Sequence, residues 1–160
     1  MATLGILGAF GQHGFLAELS DRHLMKLATV ASSFETPAGG YLTRTGEAAN
    51  SFFLIQSGHV EIGKRDENRE FTPISTAGPG DAIGWSWILP PHQWQFDCRA
   101  TEDVHGIALD ARWLREQCES DHELGYHLLK HLLAVVANRL ANLRNSTVDG
   151  YEGAKGGKTP

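Results

Sequence analysis

Turn signals recur through the middle of this chain at intervals too short for helices. Between residues 41 and 109 they fall at Thr45-Gly46-Glu47, Ser57-Gly58, Asp66-Glu67-Asn68-Arg69 and Gly78-Pro79-Gly80-Asp81. Glycine supplies the positive φ that tight turns demand, and Asp and Asn bond locally to their own backbone there. The segments between them, 52–56, 59–65, 71–76, 96–99 and 104–109, read as short strands. Strands at such regular spacing predict a barrel or sandwich rather than βαβ units.

Helices flank this region. Ser20 is placed to accept from the free amides of a first helical turn, and Leu24, Leu27, Ala28 and Ala31 share one face. This helix is expected to stop before Pro37-Ala38-Gly39-Gly40. Asp110 is expected to cap a second helix over 111–119, and a third runs from 121 to about 144. At about 1.5 Å per residue the third spans roughly 35 Å. Residues 1–145 read as one domain and 146–160, rich in Gly, Lys and Thr, as a flexible tail.

The chain has 160 residues, 41% of them hydrophobic, enough for one domain with a core of its own. Lys and Arg number 14 against 19 Asp and Glu, a net charge of −5. An acidic chain is poorly suited to nucleic acid, whose binding rests on neutralised phosphates. No apolar run is long enough to span a membrane, and no leader pattern opens the chain. Cys98 and Cys118 form neither a disulfide framework nor a metal pattern. The expected setting is the reducing cytoplasm.

The last helix carries two apolar stripes. Leu129, Leu133, Val136, Leu140 and Leu143 step by four, three, four and three, a heptad spacing that keeps one seam facing another helix. Leu124, Leu128, Leu132 and Val135 form a second stripe, rotated by about 100°. Either both merge into one wide buried face, or one stripe packs on the domain and the other on the same helix of a second chain. Burying a Leu or Val contributes roughly 1.5–3 kcal/mol, so leaving five in water is costly. A two-fold homodimer through this helix follows from the second reading.

Two segments carry a family likeness. Ser51-Phe52-Phe53-Leu54-Ile55-Gln56-Ser57-Gly58-His59-Val60-Glu61-Ile62 sets two apolar runs about a Ser-Gly turn, and Gly80-Asp81-Ala82-Ile83-Gly84-Trp85-Ser86-Trp87 follows downstream. Together they resemble the β-roll of the cyclic-nucleotide-binding domains of the catabolite-activator (Crp/Fnr) superfamily. The resemblance covers about residues 15–143. It implies a mainly β fold, a jelly-roll-like β-roll with flanking helices and a long C-terminal dimerisation helix. It also matches Gly46 and Gly58 to turn glycines of the roll. In that family a Glu after the Gly-Asp turn holds the ribose hydroxyl and an Arg on the next loop holds the cyclic phosphate. Here the Glu position reads Trp85, and the Arg position falls near His92 or Gln93. The residues past 144 are too few and too Gly-rich for the helix-turn-helix domain of the family's regulators, so direct DNA binding is disfavoured and a stand-alone domain is expected.

A charge-assisted hydrogen bond contributes roughly 1.5–3 kcal/mol, so losing both contacts costs about 3–6 kcal/mol, on the order of a hundred- to ten-thousandfold in affinity. The expected function is a stand-alone regulatory or sensory domain that binds cyclic AMP weakly or not at all. Aromatic residues replace the charges: Trp85, Trp87, Trp94 and Phe96 cluster around Pro90-Pro91, and in an extended segment Trp85 and Trp87 share a face. These rings either fill the cavity or line a site for another small planar ligand. Candidate contacts are Ile83, Gly84, Trp85, Ser86, His92, Gln93 and Arg99. Of these, Trp85, His92 and Arg99 are expected on the path by which the family's ligands reposition the last helix. If the rings fill the cavity, the alternative is a ligand-free dimeric module that binds a protein partner. No cofactor is fixed by the residues. His127 and His131, one helical turn apart, lack a third metal ligand. Cys98 suits packing in an apolar strand. No nucleophile–base spacing supports catalysis.

Overall fold

The computed structural model describes residues 13–155, with side chains described as far as residue 142. A 3-10 turn at Gly14–Leu16 precedes helix α1, Asp21–Ala28, which Ser20 caps by accepting from the His23 amide at 3.3 Å. Eight strands follow among the described residues: β1 Ala31–Thr36, β2 Tyr41–Thr43, β3 Ser51–Ser57, β4 Val60–Arg65, β5 Phe71–Ala77, β6 Ala82–Ile83, β7 Asp97–Ala100 and β8 Val104–Asp110. A second 3-10 turn, Trp85–Trp87, lies between β6 and β7. Helices α2, Ala111–Ser120, and α3, His122–Lys155, close the described chain.

The strands form two four-stranded antiparallel sheets, ordered β1-β8-β3-β6 and β2-β7-β4-β5. This is the mainly β, jelly-roll-like fold with a long last helix that the sequence predicted. Strand β3 shows how the core divides. Its period of two sends Phe52 and Leu54 to a cluster under the helices, with Leu27, Trp87, Leu114 and Leu124. Ile55 faces the other way, into the roll, with Val60, Ile83, Cys98 and Val104. The turn between β3 and β4 needs glycine. Gly58 has φ +89°, and a Cβ there would lie 2.3 Å from the Asp103 carbonyl oxygen.

Two elements differ from the sequence expectation. The first helix ends at Ala28, and Ala31, expected on its face, opens β1. Ser32, Ser33 and Thr36 are weak helix formers, and the edge of β8 offers them a full ladder from Ala31 opposite Leu109 to Thr36 opposite Val104. The last helix runs beyond residue 144, to Lys155. Strands β2 and β6 are too short to be legible from pattern alone.

Helix α3 buries Leu124, Leu128 and Leu132 and half-buries Val135 against the helix-side cluster. Asp121 fixes where this helix starts. Its carboxylate accepts from the Leu124 amide at 3.2 Å and from Lys26 Nζ at 2.8 Å, which ties the helix to α1. Arg22 and His23 stand 3.7 and 3.5 Å away. The hydrogen bond from Lys26, then that from the Leu124 amide, hold the Asp121 carboxyl down at about 2. A depressed folded-state pKa gives stability that is complete above the ordinary carboxylate value and is lost as pH falls towards 2. Urea midpoints of the wild type and Asp121→Asn should therefore differ at pH 6, and the gap should close as the pH reaches about 2.

Candidate functional site

The segment after the Gly80-Asp81 turn is fixed on both sides. The Gly80 amide donates to the Ile55 carbonyl at 3.0 Å, the Ile55 amide donates to the Asp81 carbonyl at 2.9 Å, and the Asp81 carboxylate accepts from the Gly78 amide at 2.8 Å. Ala82 and Ile83 then pair with Leu54 and Phe53. At Gly84 the backbone swings to φ +101°, a conformation that favours glycine, and starts the 3-10 turn. Trp85 and Trp87 therefore do not share the face of an extended segment. Both meet the helix-side cluster, Trp87 within it and Trp85 at its margin. Trp87 is fully buried against Phe52, with ring centroids 5.7 Å apart, beneath the helices. Trp85, half-buried, lines the mouth of the roll.

Trp94 closes that mouth from the opposite side. Its amide donates to the Glu47 carbonyl and its carbonyl accepts from the Gly46 amide, both at 2.9 Å, so the Thr45-Gly46-Glu47 turn holds it in place. Its ring lies so close to Gly84 that a Cβ there would sit 2.6 Å from Trp94 Cζ3. With Trp85 and Phe96 beside it, the void left among Ile83, Gly84, Ser86 and Cys98 measures about 20 Å³. A second cavity of about 160 Å³ shares Ile62, Trp85 and Phe96 with it and reaches Val136 and Leu140 of the last helix. Ligand pockets usually run from roughly 300 Å³ upward. A larger concavity, about 500 Å³, is a separate open groove among Arg44, Lys64, Arg65, Arg69 and Asp97, and residues 82–87 do not line it.

The seven candidate contacts separate into two groups. Ile83, Gly84, Trp85 and Ser86 meet around the small void. His92, Gln93 and Arg99 do not. The backbone of His92 binds the Leu89 carbonyl and the Ala49 amide, and Gln93 bridges to Ala48. Arg99 alternates with buried Cys98 along β7. It donates to Glu61 at 2.9 Å and stacks 4.3 Å over the Phe71 ring, outside both cavities. Cys98 is buried, and burial pushes its thiol up to about 12, so it stays protonated at neutral pH.

The cation at the mouth comes from elsewhere. Arg139 of α3 lines both cavities and donates from Nη2 to the Ala82 carbonyl at 2.5 Å. Burial lowers its pKa, while Cys98 and Asp81 act to raise it. Sequence reasoning missed this residue, although it continues the inward stripe: Leu128, Leu132, Val135 and Arg139 step by four, three and four. A charge on the buried stripe was the available signal. On the same helix His131 packs near Phe15, and its Nε2 lies 3.4 Å from Glu18.

Trp94→Ala tests whether the indole keeps the mouth shut. It should cost about 3 kcal/mol by urea denaturation, as large aromatic truncations do. The variant's crystal structure should show a single enlarged cavity in place of the 20 Å³ void.

Residues 34–121, more than half of the chain, match the family model of the cyclic nucleotide-binding domain. A CRP-like cAMP-activated global transcriptional regulator of Mycobacterium tuberculosis is 26% identical over 113 residues, which cover 71% of this chain and 49% of the regulator. The regulatory subunit of a cAMP-independent protein kinase A from Trypanosoma cruzi, solved bound to guanosine, is similar at a TM-score of 0.64 and 26% identity, over 85% of this chain and 50% of that one. A cyclic nucleotide-binding domain from Methylobacillus flagellatus reaches a TM-score of 0.74 at 19% identity, over 92% and 83% of the two chains, a likeness of fold. The chain spans about half the length of the first curated relatives it matches. On the family-model match, with the likeness of fold beside it, the chain belongs to the cyclic nucleotide-binding domain family.

Proposed function

We propose that this chain is a regulatory or sensory domain whose roll takes cyclic AMP weakly or not at all, and that it works as a homodimer in the cytoplasm. The filled mouth carries the first part. Trp85 and Phe96 line only a void of about 20 Å³, which Trp94 also lines, and a cavity of about 160 Å³, both small for a nucleotide. Trp85 stands where the family places the ribose-binding Glu, and Arg99 is engaged with Glu61 on another face. The Trypanosoma cruzi relative, described as cAMP-independent, supports the reading that a roll of this fold need not be a cyclic AMP site. The role is read as one of binding, in keeping with the cyclic nucleotide-binding domain family.

The last helix supports the dimer. The inward stripe is buried, while Leu129, Leu133, Val136 and Leu140 remain exposed, Leu133 at 69% and Leu140 at 67%. That stripe keeps heptad spacing, which suits a parallel helix of a second copy. Leu143 belongs to the same seam by spacing, but its side chain lies outside the described residues. Arg139 links this helix to the carbonyl of Ala82, so a change at the cassette would be felt on the seam. The output is then a dimer surface read by a protein partner, and direct DNA contact by a chain of net charge −5 plays no part. Among the described residues no helix is long and apolar enough to cross a membrane. Both described cysteines are free thiols, which suits a reducing compartment.

Two measurements test this. A site of about 10 μM affinity would add roughly 2.7 kcal/mol of stability at 1 mM ligand, a shift of several degrees in melting temperature. Cyclic AMP and cyclic GMP at that concentration should give no such shift and no calorimetric saturation; micromolar saturation by either would end the closed-roll reading. Separately, light scattering should report a dimer for the wild type. Leu133→Glu should leave the circular dichroism unchanged and weaken the dimer by about tenfold or more. A wild type that stays monomeric at high concentration would dismiss the seam.

A further inference from the structure

The cavity between Trp85 and the last helix combines apolar walls with one charge. Ile74, Trp85, Phe96, Val136 and Leu140 supply the walls, and Arg139 is the ionisable group that lines it. Among the described residues the guanidinium makes a hydrogen bond to the Ala82 carbonyl and no ion pair. It carries five N–H donors in a planar fork. A half-buried cation with no carboxylate in ion-pair contact has given up hydration that a backbone carbonyl only partly replaces. Other arginines of this domain are compensated: Arg65 by Asp97 at 2.9 Å and Arg99 by Glu61 at 2.9 Å.

We propose that this cavity is a site for a small aromatic carboxylate, with Arg139 as the anion contact and Trp85 and Phe96 as its apolar walls. It rests on the closed-roll reading above, because a nucleotide seated in the roll would need Trp85 and Phe96 displaced. Size sets the ligand class. A cavity of about 150 Å³ lined by apolar side chains holds a benzene ring, and this one measures about 160 Å³. Charge sets the rest. A carboxylate presents two oxygens to the guanidinium fork and can be held bidentately. A dianion such as a phosphate monoester fits less well, because the Asp81 carboxylate is close enough to act on Arg139. Cys98, the other group acting on Arg139, is held protonated and adds no charge.

Benzoate is the probe, methyl benzoate its neutral counterpart, and cyclic AMP the third titrant, each followed by calorimetry on the full chain. Benzoate should saturate, and the ester should bind about tenfold more weakly or worse. Arg139→Met, which keeps an apolar stem, should lose benzoate affinity by about tenfold or more with an unchanged melting curve. Should that variant fail to fold, the comparison of acid with ester in the wild type decides alone. The proposal is overturned by absence of benzoate saturation at about 10 mM or by equal affinity for the ester. Cyclic AMP saturation with the preference for benzoate over the ester intact would support this site while ending the closed-roll reading. Refusal of both ligands would end this proposal alone.

Discussion

The contact between the Trp94 ring and Gly84 governs the site. Any side chain at residue 84 would collide with the indole, and any residue other than glycine would resist φ +101°. Glycine meets both demands at once. Its backbone turn sends Trp87 beneath the helices and Trp85 to the roll mouth, and its missing Cβ lets Trp94 close over them. The loop carrying Trp94 is anchored in turn by the backbone pair to Gly46 and Glu47. Two glycines far apart in sequence, Gly46 and Gly84, thus converge on one narrowed opening.

The same economy shapes the last helix. Its inward residues complete the cluster that Phe52, Leu54 and Trp87 begin, so the helix is part of the domain core. Its outward residues are apolar as well, and among the described residues they remain exposed. Arg139 sits where the inward stripe passes from the helix-side cluster to the roll mouth. A hydrophobic residue there would seal the mouth; a guanidinium leaves a polar point in an apolar wall. A cation therefore stands at this opening, carried by the last helix.

Much of this was legible in the chain. Turn glycines and Asx residues placed five strands within a residue or two, because a positive φ and local side-chain bonding are properties of single residues. Ser20 and Asp110 marked helix starts for the same reason, and both accept the expected backbone amides. The stripes of α3 were readable because side-chain direction on a helix follows from spacing. The two-residue strand β6 and the strand made of Ala31–Thr36 were not readable, since their state depends on partners in β3 and β8 that lie more than twenty residues away.

The sequence by itself determined the alternation of strands and turns, the helix caps, the two apolar stripes and the tryptophan that follows the Gly80-Asp81 turn at position 85. Each of these is written in one residue or in a short spacing. Tertiary structure alone decided that Arg99 faces Glu61 and Phe71 while Arg139, forty residues later, reaches the mouth of the roll. It also decided that the Trp94 ring stands against Gly84, beside a void of about 20 Å³. The reason is geometric: a side chain's charge and size are local, but the volume it occupies depends on elements brought alongside it by the sheets.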